Sequence, residues 1–183
     1  MNTLRNFRLA VPVLVLASLP VWAGMPAPAI RNFHQVNGHI YRGAQPADQD
    51  WKGLAAIGVK AVIDLRRPGE HSTAAEARAV AAAGMQYINI PMKGIVAPRE
   101  SQVAQALALL NSDTPVFVHC KEGKDRTGTV IALYRISHDH WDSHKALDEA
   151  NSHGMHWFEL GMKQYIRAYR PAPSLDQAQN RSR

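Results

Sequence analysis

Residues 115–128 read PVFVHCKEGKDRTG, and this stretch decides the fold. Its first five residues are mostly apolar and include two valines and a phenylalanine, which predicts a buried strand. A strongly apolar run, TGTVIALYRIS, begins near the end of the stretch and predicts a helix over residues 127–137. Cys120 therefore lies in a short loop that leads from a buried strand directly into a helix.

Apolar runs on both sides of this unit alternate between strand and helix character. The other predicted strands cover residues 39–42, 59–65 and 86–90. The other predicted helices cover residues 48–57, 73–83, 101–110, 143–151 and 156–170. Asp48 is positioned to cap the first of these helices. The alternation predicts an α/β fold with a mostly parallel central sheet of about four to five strands flanked by helices. Ligands of such folds bind beyond the carboxyl ends of the strands, which is where Cys120 lies.

The N-terminus has the pattern of a cleaved export signal. Arg5 and Arg8 precede an apolar stretch over residues 9–23, and Ala23 is the small residue that a signal peptidase reads. A retained membrane anchor is the weaker interpretation, because the stretch is short for a membrane span and contains two prolines. We predict a signal peptide over residues 1–23, or cleavage after residue 29 as the alternative. The product is then periplasmic or secreted, without a stable membrane anchor.

Composition and charge are those of one globular domain. The 183 residues suffice for a proper hydrophobic core, which we assign to residues 24–170, followed by a flexible polar tail over residues 171–183. The formal charge of +6 falls to +4 without residues 1–23, which contain two arginines and no acids. This balance suits an anionic substrate. Basic residues are not interleaved with aromatic ones, so nucleic-acid binding is not favoured.

The single cysteine has surroundings that favour chemistry. An unpaired thiol in an exported protein is either an inert core residue or a chemically used group. Backbone N–H groups of a short loop before a helix can converge on a tetrahedral oxyanion, and the helix N-terminus stabilises a thiolate there. Arg126 ends the loop with a planar fork that suits two phosphate oxygens, and Gly123 permits close backbone approach. We therefore predict that Cys120 attacks phosphorus and that Thr127 hydrogen-bonds the departing sulfur.

The run HCKEGKDRTG resembles the His-Cys-x5-Arg-Thr/Ser phosphate loop of the protein tyrosine and dual-specificity phosphatase superfamily. Three further segments are similar to parts of small bacterial and plant or fungal atypical dual-specificity phosphatases: YRGAQP from residue 41, GVKAVIDLR from residue 58 and INIP from residue 88. The resemblance extends over residues 35–170. It implies a cysteine-phosphatase fold and hydrolysis of phosphate monoesters through a phosphocysteine, without metal or cofactor. It also implies a phosphoprotein, phosphoinositide or inositol phosphate as substrate.

Five residues of the loop are predicted to contact substrate: Lys121, Glu122, Gly123, Lys124 and Thr127. The resembling lipid and inositol phosphatases carry lysines at the positions of Lys121 and Lys124, which implies a positive pocket rim. Glu122 weakens that field. Two solvated surface lysines are the alternative interpretation.

The general acid is where the sequence departs from the resembling family. That family usually protonates the leaving oxygen from an Asp on a loop before the final strand, but the matching residues 92–100 contain no Asp. Asp125 is the first candidate, since related bacterial phosphatases with a GKDRTG loop are thought to use it, and Glu100 is the second. The alternative for Asp125 is a structural bond to a lysine or a backbone amide. The predicted catalytic set is thus Cys120, Arg126 and Asp125.

Other polar residues and other functions have weaker support. His140 and His144 have i, i+4 spacing but no recognised metal-site pattern, so we predict no metal. Asp64 and Arg66 are predicted to form a structural ion pair, and His119 to orient the loop. Two rival functions remain open: a catalytically weak phosphate-binding pseudophosphatase module and a sulfurtransferase.

Overall fold

The computed structural model describes residues 28–171. The predicted signal peptide and nearly all of the predicted polar tail lie outside these residues and stay predictions. Within the described residues, no helix has both the length and the hydropathy that crossing a membrane requires.

The described residues form strands and helices in alternation. The strands are β1 His34–Gln35, β2 Ile40–Gly43, β3 Ala61–Asp64, β4 Gln86–Asn89 and β5 Val116–His119. The helices are α1 Asp50–Ala56, α2 Thr73–Ala82, α3 Glu100–Leu110, α4 Asp125–Ser137, α5 Ser143–Ser152 and α6 Leu160–Ala168. Most elements lie within a few residues of the positions that the sequence predicts.

The strands form one sheet in the order β1-β2-β5-β3-β4. Strands β2, β5, β3 and β4 pair in parallel, and β1 adds to β2 in the antiparallel sense. The predicted α/β fold with a mostly parallel sheet is therefore confirmed. In the central strand β5, His119 lies opposite Gly43 of β2 and Asp64 of β3. The next residue, Cys120, thus leaves the sheet at its carboxyl edge, between two neighbouring strands.

Helices cover both faces of the sheet because β5 alternates its apolar side chains. Val116 and Val118 point into a core built with α3, α4, α5 and α6. Phe117 points to the other face, where it packs with Trp51 of α1 and Val80 of α2. Each such fully buried side chain contributes about 1.5–3 kcal/mol of hydrophobic stabilisation. Burial on both faces fixes the position of β5 and therefore of the thiol that follows it.

The starts of α4 and α1 differ from the predictions. α4 begins at Asp125, so Asp125 and Arg126 belong to its first turn, where an acidic side chain is favourable. The apolar run alone pointed to residue 127, because periodicity does not report a polar first turn. The predicted cap of α1 was wrong: that helix begins at Asp50, whose carboxylate accepts a hydrogen bond from the Ala47 N–H at 2.8 Å, and Asp48 does not cap it.

Three other features differ from the sequence predictions. β1 is too short, at two residues, to carry a periodic signal. α6 begins at Leu160 rather than at residue 156, and the residues before it form a turn. His140 has a φ of 57° and lies outside α5, so it does not share a helical face with His144. The i, i+4 spacing of these histidines therefore has no helical meaning.

Candidate active site

Cys120 begins the phosphate loop, which we define as residues 120–126. It is 3% exposed and follows directly on the central strand. The loop enters α4 at Asp125. N–H groups in the first turn of a helix have no intrahelical acceptor and carry partial positive charge. The thiol therefore lies at the base of a backbone arrangement that favours an anion.

The guanidinium of Arg126 is held by a carboxylate from another part of the chain. Glu70 accepts hydrogen bonds from Nη1 at 2.8 Å and from Nη2 at 3.0 Å, and Arg126 is 8% exposed. Partial burial favours the neutral form of Glu70, but the hydrogen bonds from Arg126 outweigh it and lower the pKa of Glu70 to about 2. Sequence reasoning missed Glu70, because it lies 56 residues before Arg126 and belongs to no recognised spacing.

The middle of the phosphate loop is braced by the N-terminal part of the domain. Gly123 has a φ of 70°, and its carbonyl oxygen accepts hydrogen bonds from Arg42 Nη2 and Asn32 Nδ2, both at 2.9 Å. A Cβ on Gly123 would lie 2.3 Å from the carbonyl carbon of Gly43, so the backbone approach requires glycine. Arg42 is 1% exposed, and burial lowers its pKa to about 10, which leaves it charged at neutral pH.

Asp125 extends toward the turn that precedes α6. Its Oδ1 accepts a hydrogen bond from the His156 N–H at 2.8 Å, and its Oδ2 lies 2.9 Å from His156 Nδ1. The alternative weighed for Asp125, a structural bond to a backbone amide, is therefore present in the structure. The role of general acid stays a prediction. Glu100 is exposed in the first turn of α3, where Tyr165 of α6 is a neighbour.

Glu159 is a second carboxyl group in this region. It is 4% exposed, and its Oε2 has no hydrogen-bond partner within the described residues. Burial, and then the nearby Asp125 carboxylate, raise the pKa of Glu159 and favour its protonated form. Sequence reasoning missed Glu159, because a lone Glu between Phe158 and Leu160 has the pattern of an ordinary surface residue.

The other predicted contact residues differ in their surroundings. Lys121 is exposed, whereas Glu122 and Lys124 form an ion pair with each other at 3.1 Å. Thr127 is fully buried, and its hydroxyl has no hydrogen-bond partner in the part of the chain that the structure describes. Its bond to the departing sulfur stays a prediction.

A buried polar cluster includes His119, the residue directly before Cys120. Asp64, Glu76 and His119 offer ligand atoms within 4.8 Å of one another, a set that suits a cation. The cation in the structure is the guanidinium of Arg66, which donates from Nε to Asp64 Oδ1 at 2.9 Å and also contacts Glu76. The predicted ion pair of Asp64 and Arg66 is therefore present, and Glu76 is a third member of this group. His119 Nε2 lies 3.0 Å from Glu76 Oε1, but neither atom has a hydrogen-bond partner within the described residues, so the role of His119 in orienting the loop stays a prediction.

A family model described as DSP-PTPase phosphatase fused to NAD+ kinase, PTP-NADK, matches residues 28–168. The chain belongs to the PTP-NADK family. The match includes every residue of the site described above. The predicted resemblance to dual-specificity-type phosphatases is thereby confirmed.

Individual relatives of this PTP-NADK chain agree with that assignment. The dual specificity protein phosphatase TpbA of Pseudomonas aeruginosa is 28% identical over 137 residues, which are 74% of this chain and 60% of TpbA. The chain thus spans less than two thirds of this relative's length. The phosphatidylglycerophosphate phosphatase PTPMT2 of Arabidopsis thaliana is 32% identical over 115 residues, which are 59% of this chain and 49% of PTPMT2.

Solved structures show the same fold as this PTP-NADK chain. The crystal structure of P. aeruginosa TpbA has a TM-score of 0.66 at 26% identity and covers 82% of this chain and 92% of that one. The catalytic core of the PP-IP phosphatase SIW14 from S. cerevisiae has a TM-score of 0.64 at 22% identity, covering 77% and 87%. At that identity, SIW14 supports the fold alone.

Proposed function

We propose that this chain is an exported cysteine-dependent phosphatase of dual-specificity type, which hydrolyses phosphate monoesters through a phosphocysteine intermediate. The observation that carries the proposal is the placement of Cys120 at the carboxyl end of the central strand, in a loop that ends on Arg126. Membership of a phosphatase family supports the class of reaction. The pattern of residues 1–23 supports export.

In the first step the Cys120 thiolate attacks phosphorus in line with the ester oxygen. The S–P bond forms while the P–O bond to the leaving group breaks, and its electron pair stays on the leaving oxygen. N–H groups of the phosphate loop and the Arg126 guanidinium stabilise the charge on the remaining phosphate oxygens. Glu70 fixes the plane of that guanidinium, and Nη1 also faces the carbonyl oxygen of Met92, which leaves Nε–H and the second N–H of Nη2 for substrate.

The leaving oxygen needs a proton, which we assign to the carboxyl pair of Asp125 and Glu159. Burial, and then the charge of the Asp125 carboxylate, raise the pKa of Glu159, which favours a protonated carboxyl group in this pair. Asp125 delivers the proton from the first turn of α4. In the second step water attacks the phosphocysteine, the S–P bond breaks, and the carboxylate takes a proton from that water.

The first test is hydrolysis of a generic aryl phosphate by the purified protein without added metal. Cys120→Ser is expected to abolish turnover, because the serine hydroxyl is not ionised at neutral pH. Arg126→Lys keeps the charge but loses the planar fork, and is expected to lower kcat/KM by about 10²–10³-fold. Phosphate binding by the wild type without turnover of any ester would instead establish the binding-module function.

The second test separates the proton donor from the rest of the site. Asp125→Asn is expected to lower turnover of an alkyl phosphate by about 10²–10⁴-fold, and that of an aryl phosphate far less, because an aryl oxide leaves without a proton. Glu159→Gln should show the same dependence on the leaving group. Glu100→Gln is the matched control and should change neither rate. Equal losses with both esters would make the carboxyl pair structural.

The substrate class is not decided by the relatives. TpbA is named a dual specificity protein phosphatase, PTPMT2 a phosphatidylglycerophosphate phosphatase and SIW14 a PP-IP phosphatase. Phosphoproteins, phosphoinositides and inositol phosphates are all compatible with the chemistry proposed for Cys120. These substrate classes differ in the groups next to the phosphate, so the surface around the site decides between them.

A further inference from the structure

Exposed apolar side chains are concentrated next to the phosphate loop. Among the described residues, five large hydrophobic side chains are exposed, and all five lie on two short segments. They are Ile95 (65% exposed), Val96 (48%), Trp157 (81%), Phe158 (44%) and Leu160 (68%), which we call the apolar rim. Single exposed apolar residues are normal on soluble proteins, but a cluster of them marks an interaction surface.

The two segments of the rim contact each other and flank the catalytic residues. A Cβ on Gly161 would lie 3.0 Å from the carbonyl oxygen of Ile95, so the two backbones are in contact. His156, next to Trp157, bonds to Asp125, which belongs to the phosphate loop. On the other side, the carbonyl oxygen of Met92 lies 3.4 Å from Arg126 Nη1. The rim therefore lies next to residues that contact the phosphate loop on both sides.

Cationic side chains accompany the apolar rim. A groove of about 520 Å³ is lined by Arg67, Lys93 and Arg99, together with Val96 of the rim. Lys93 and Arg99 are exposed and form no ion pair with any described residue. Arg67 lies 3.3 Å from Glu70, the carboxylate that holds Arg126, so one wall of the groove contacts a residue of the site. An anionic group in this groove would therefore contact Arg67, whose partner Glu70 also holds Arg126.

We propose that the apolar rim docks reversibly on an anionic phospholipid bilayer, and that the substrate is a phosphate monoester on a phospholipid headgroup. Aromatic and aliphatic side chains next to Lys and Arg are the composition that partitions into the membrane interface, where Trp is enriched. The groove of Arg67, Lys93 and Arg99 takes the diester phosphate of the same lipid, and the monoester reaches Cys120. The catalytic half of this inference rests on the proposed function; the docking half does not.

A bilayer fits the rim better than a phosphorylated peptide does. Peptides are usually bound along a sheet edge or in a groove, where backbone hydrogen bonds and side-chain pockets hold them. The rim side chains instead protrude, and Trp157 and Leu160 are 81% and 68% exposed. Protruding apolar groups gain stabilisation by entering the acyl boundary, while free cations nearby attract anionic headgroups.

The experiment compares wild type with the double variant Trp157→Ser/Leu160→Ser. Phe158 is left in place because its ring stacks on His156 at 5.0 Å, and Ile95 because its φ of 73° makes its loop sensitive to substitution. Binding is measured by sedimentation with phosphatidylcholine vesicles, with and without phosphatidylglycerol. Turnover is measured on a soluble aryl phosphate, on vesicle-borne phosphatidylglycerophosphate and on a phosphotyrosine peptide. All proteins share one N-terminus, verified by mass spectrometry.

Wild type should bind the phosphatidylglycerol vesicles, and the double variant should bind them at least about tenfold more weakly, since two large apolar side chains are lost. Its turnover of vesicle-borne lipid should fall by a similar factor, with aryl phosphate turnover unchanged. Lys93→Glu should weaken vesicle binding, whereas Lys52→Glu, the same charge change at an exposed position on α1, should not.

Two results would overturn this inference. One is equal vesicle binding by wild type and the double variant. The other is a loss in turnover of the phosphotyrosine peptide while lipid turnover stays unchanged, which would make the rim a peptide-binding surface. Failure of wild type to hydrolyse aryl phosphate would refute the proposed function instead, and vesicle sedimentation would still decide whether the rim docks.

Discussion

Gly123→Ala is expected to damage both the stability of the protein and its catalysis. The substitution places a methyl group 2.3 Å from the carbonyl carbon of Gly43 and 2.5 Å from the Ala44 nitrogen, and both contacts are backbone. It also puts a non-glycine residue at a φ of 70°, which costs about 1–2 kcal/mol. Relief of the clash requires backbone movement, which adds about 1–3 kcal/mol. The free energy of unfolding should therefore fall by about 2–5 kcal/mol.

Gly84→Ala is the matched control for this prediction. Gly84 has a φ of 79°, but a Cβ there meets no described heavy atom within 4 Å, and it lies at the end of α2. Only the conformational cost of about 1–2 kcal/mol applies at this position. The difference between the two variants thus isolates the close approach of the phosphate loop to the end of β2.

Urea unfolding and aryl phosphate kinetics measure the two effects. Gly123→Ala should lower the urea midpoint by about 1–2.5 M, and a shifted loop should lower kcat/KM by about 10²-fold in the fraction that stays folded. Gly84→Ala should shift the midpoint less and leave kcat/KM unchanged. If both variants lose the same stability and Gly123→Ala keeps full activity, then the close approach does not hold the loop.

Three further predictions concern charged groups around the site. Glu70→Gln should lower kcat/KM about tenfold, because Arg126 is then no longer held in place. The pKa of Glu70 is about 2 in the folded protein and 4.5 in the unfolded chain, so its contribution to stability is complete above pH 4.5 and is lost toward pH 2. The free energies of unfolding of wild type and variant should therefore converge toward pH 2. Arg42→Lys removes the hydrogen bond from Arg42 to the Gly123 carbonyl oxygen. The affinity for vanadate, measured by titration, should weaken, and the free energy of unfolding, measured with urea, should fall by about 1–3 kcal/mol. Burial, and then the charge of Arg42, lower the pKa of His153 from 6.5 to about 4. The free energy of unfolding should therefore fall as the pH drops from 6.5 to 4, because the unfolded chain binds the proton more readily. In His153→Gln, the free energy of unfolding should depend less on pH over this range.

The frame of the site was predictable from local sequence because its signals are local. A run such as VFV before Cys120 identifies a buried strand, and a long apolar run after Arg126 identifies a helix, whatever the rest of the chain does. Once strands and helices alternate, the position of the thiol at the carboxyl edge of the sheet follows from topology. The loop motif then predicts which residues lie together.

The residues that orient this machinery were not predictable in the same way. Glu70 and Glu159 are single acids in irregular segments, and only the folded chain brings them to Arg126 and Asp125. Their sequence neighbours carry no periodicity and no motif spacing. The brace from Asn32 likewise joins positions 91 residues apart through one hydrogen bond to a loop carbonyl. Such contacts depend on tertiary geometry alone.

The two hydrogen bonds that the Gly123 carbonyl oxygen accepts have a consequence for protein engineering. The seven residues from Cys120 to Arg126 look like a segment that could be transferred into another α/β protein. Here, however, the conformation of these seven residues depends on contacts with residues outside the segment. These are the side chains of Asn32 and Arg42 and the backbone of Gly43. A graft that carries the seven residues without these three would contain Cys120 and Arg126 but would lack the contacts that hold the loop in its conformation.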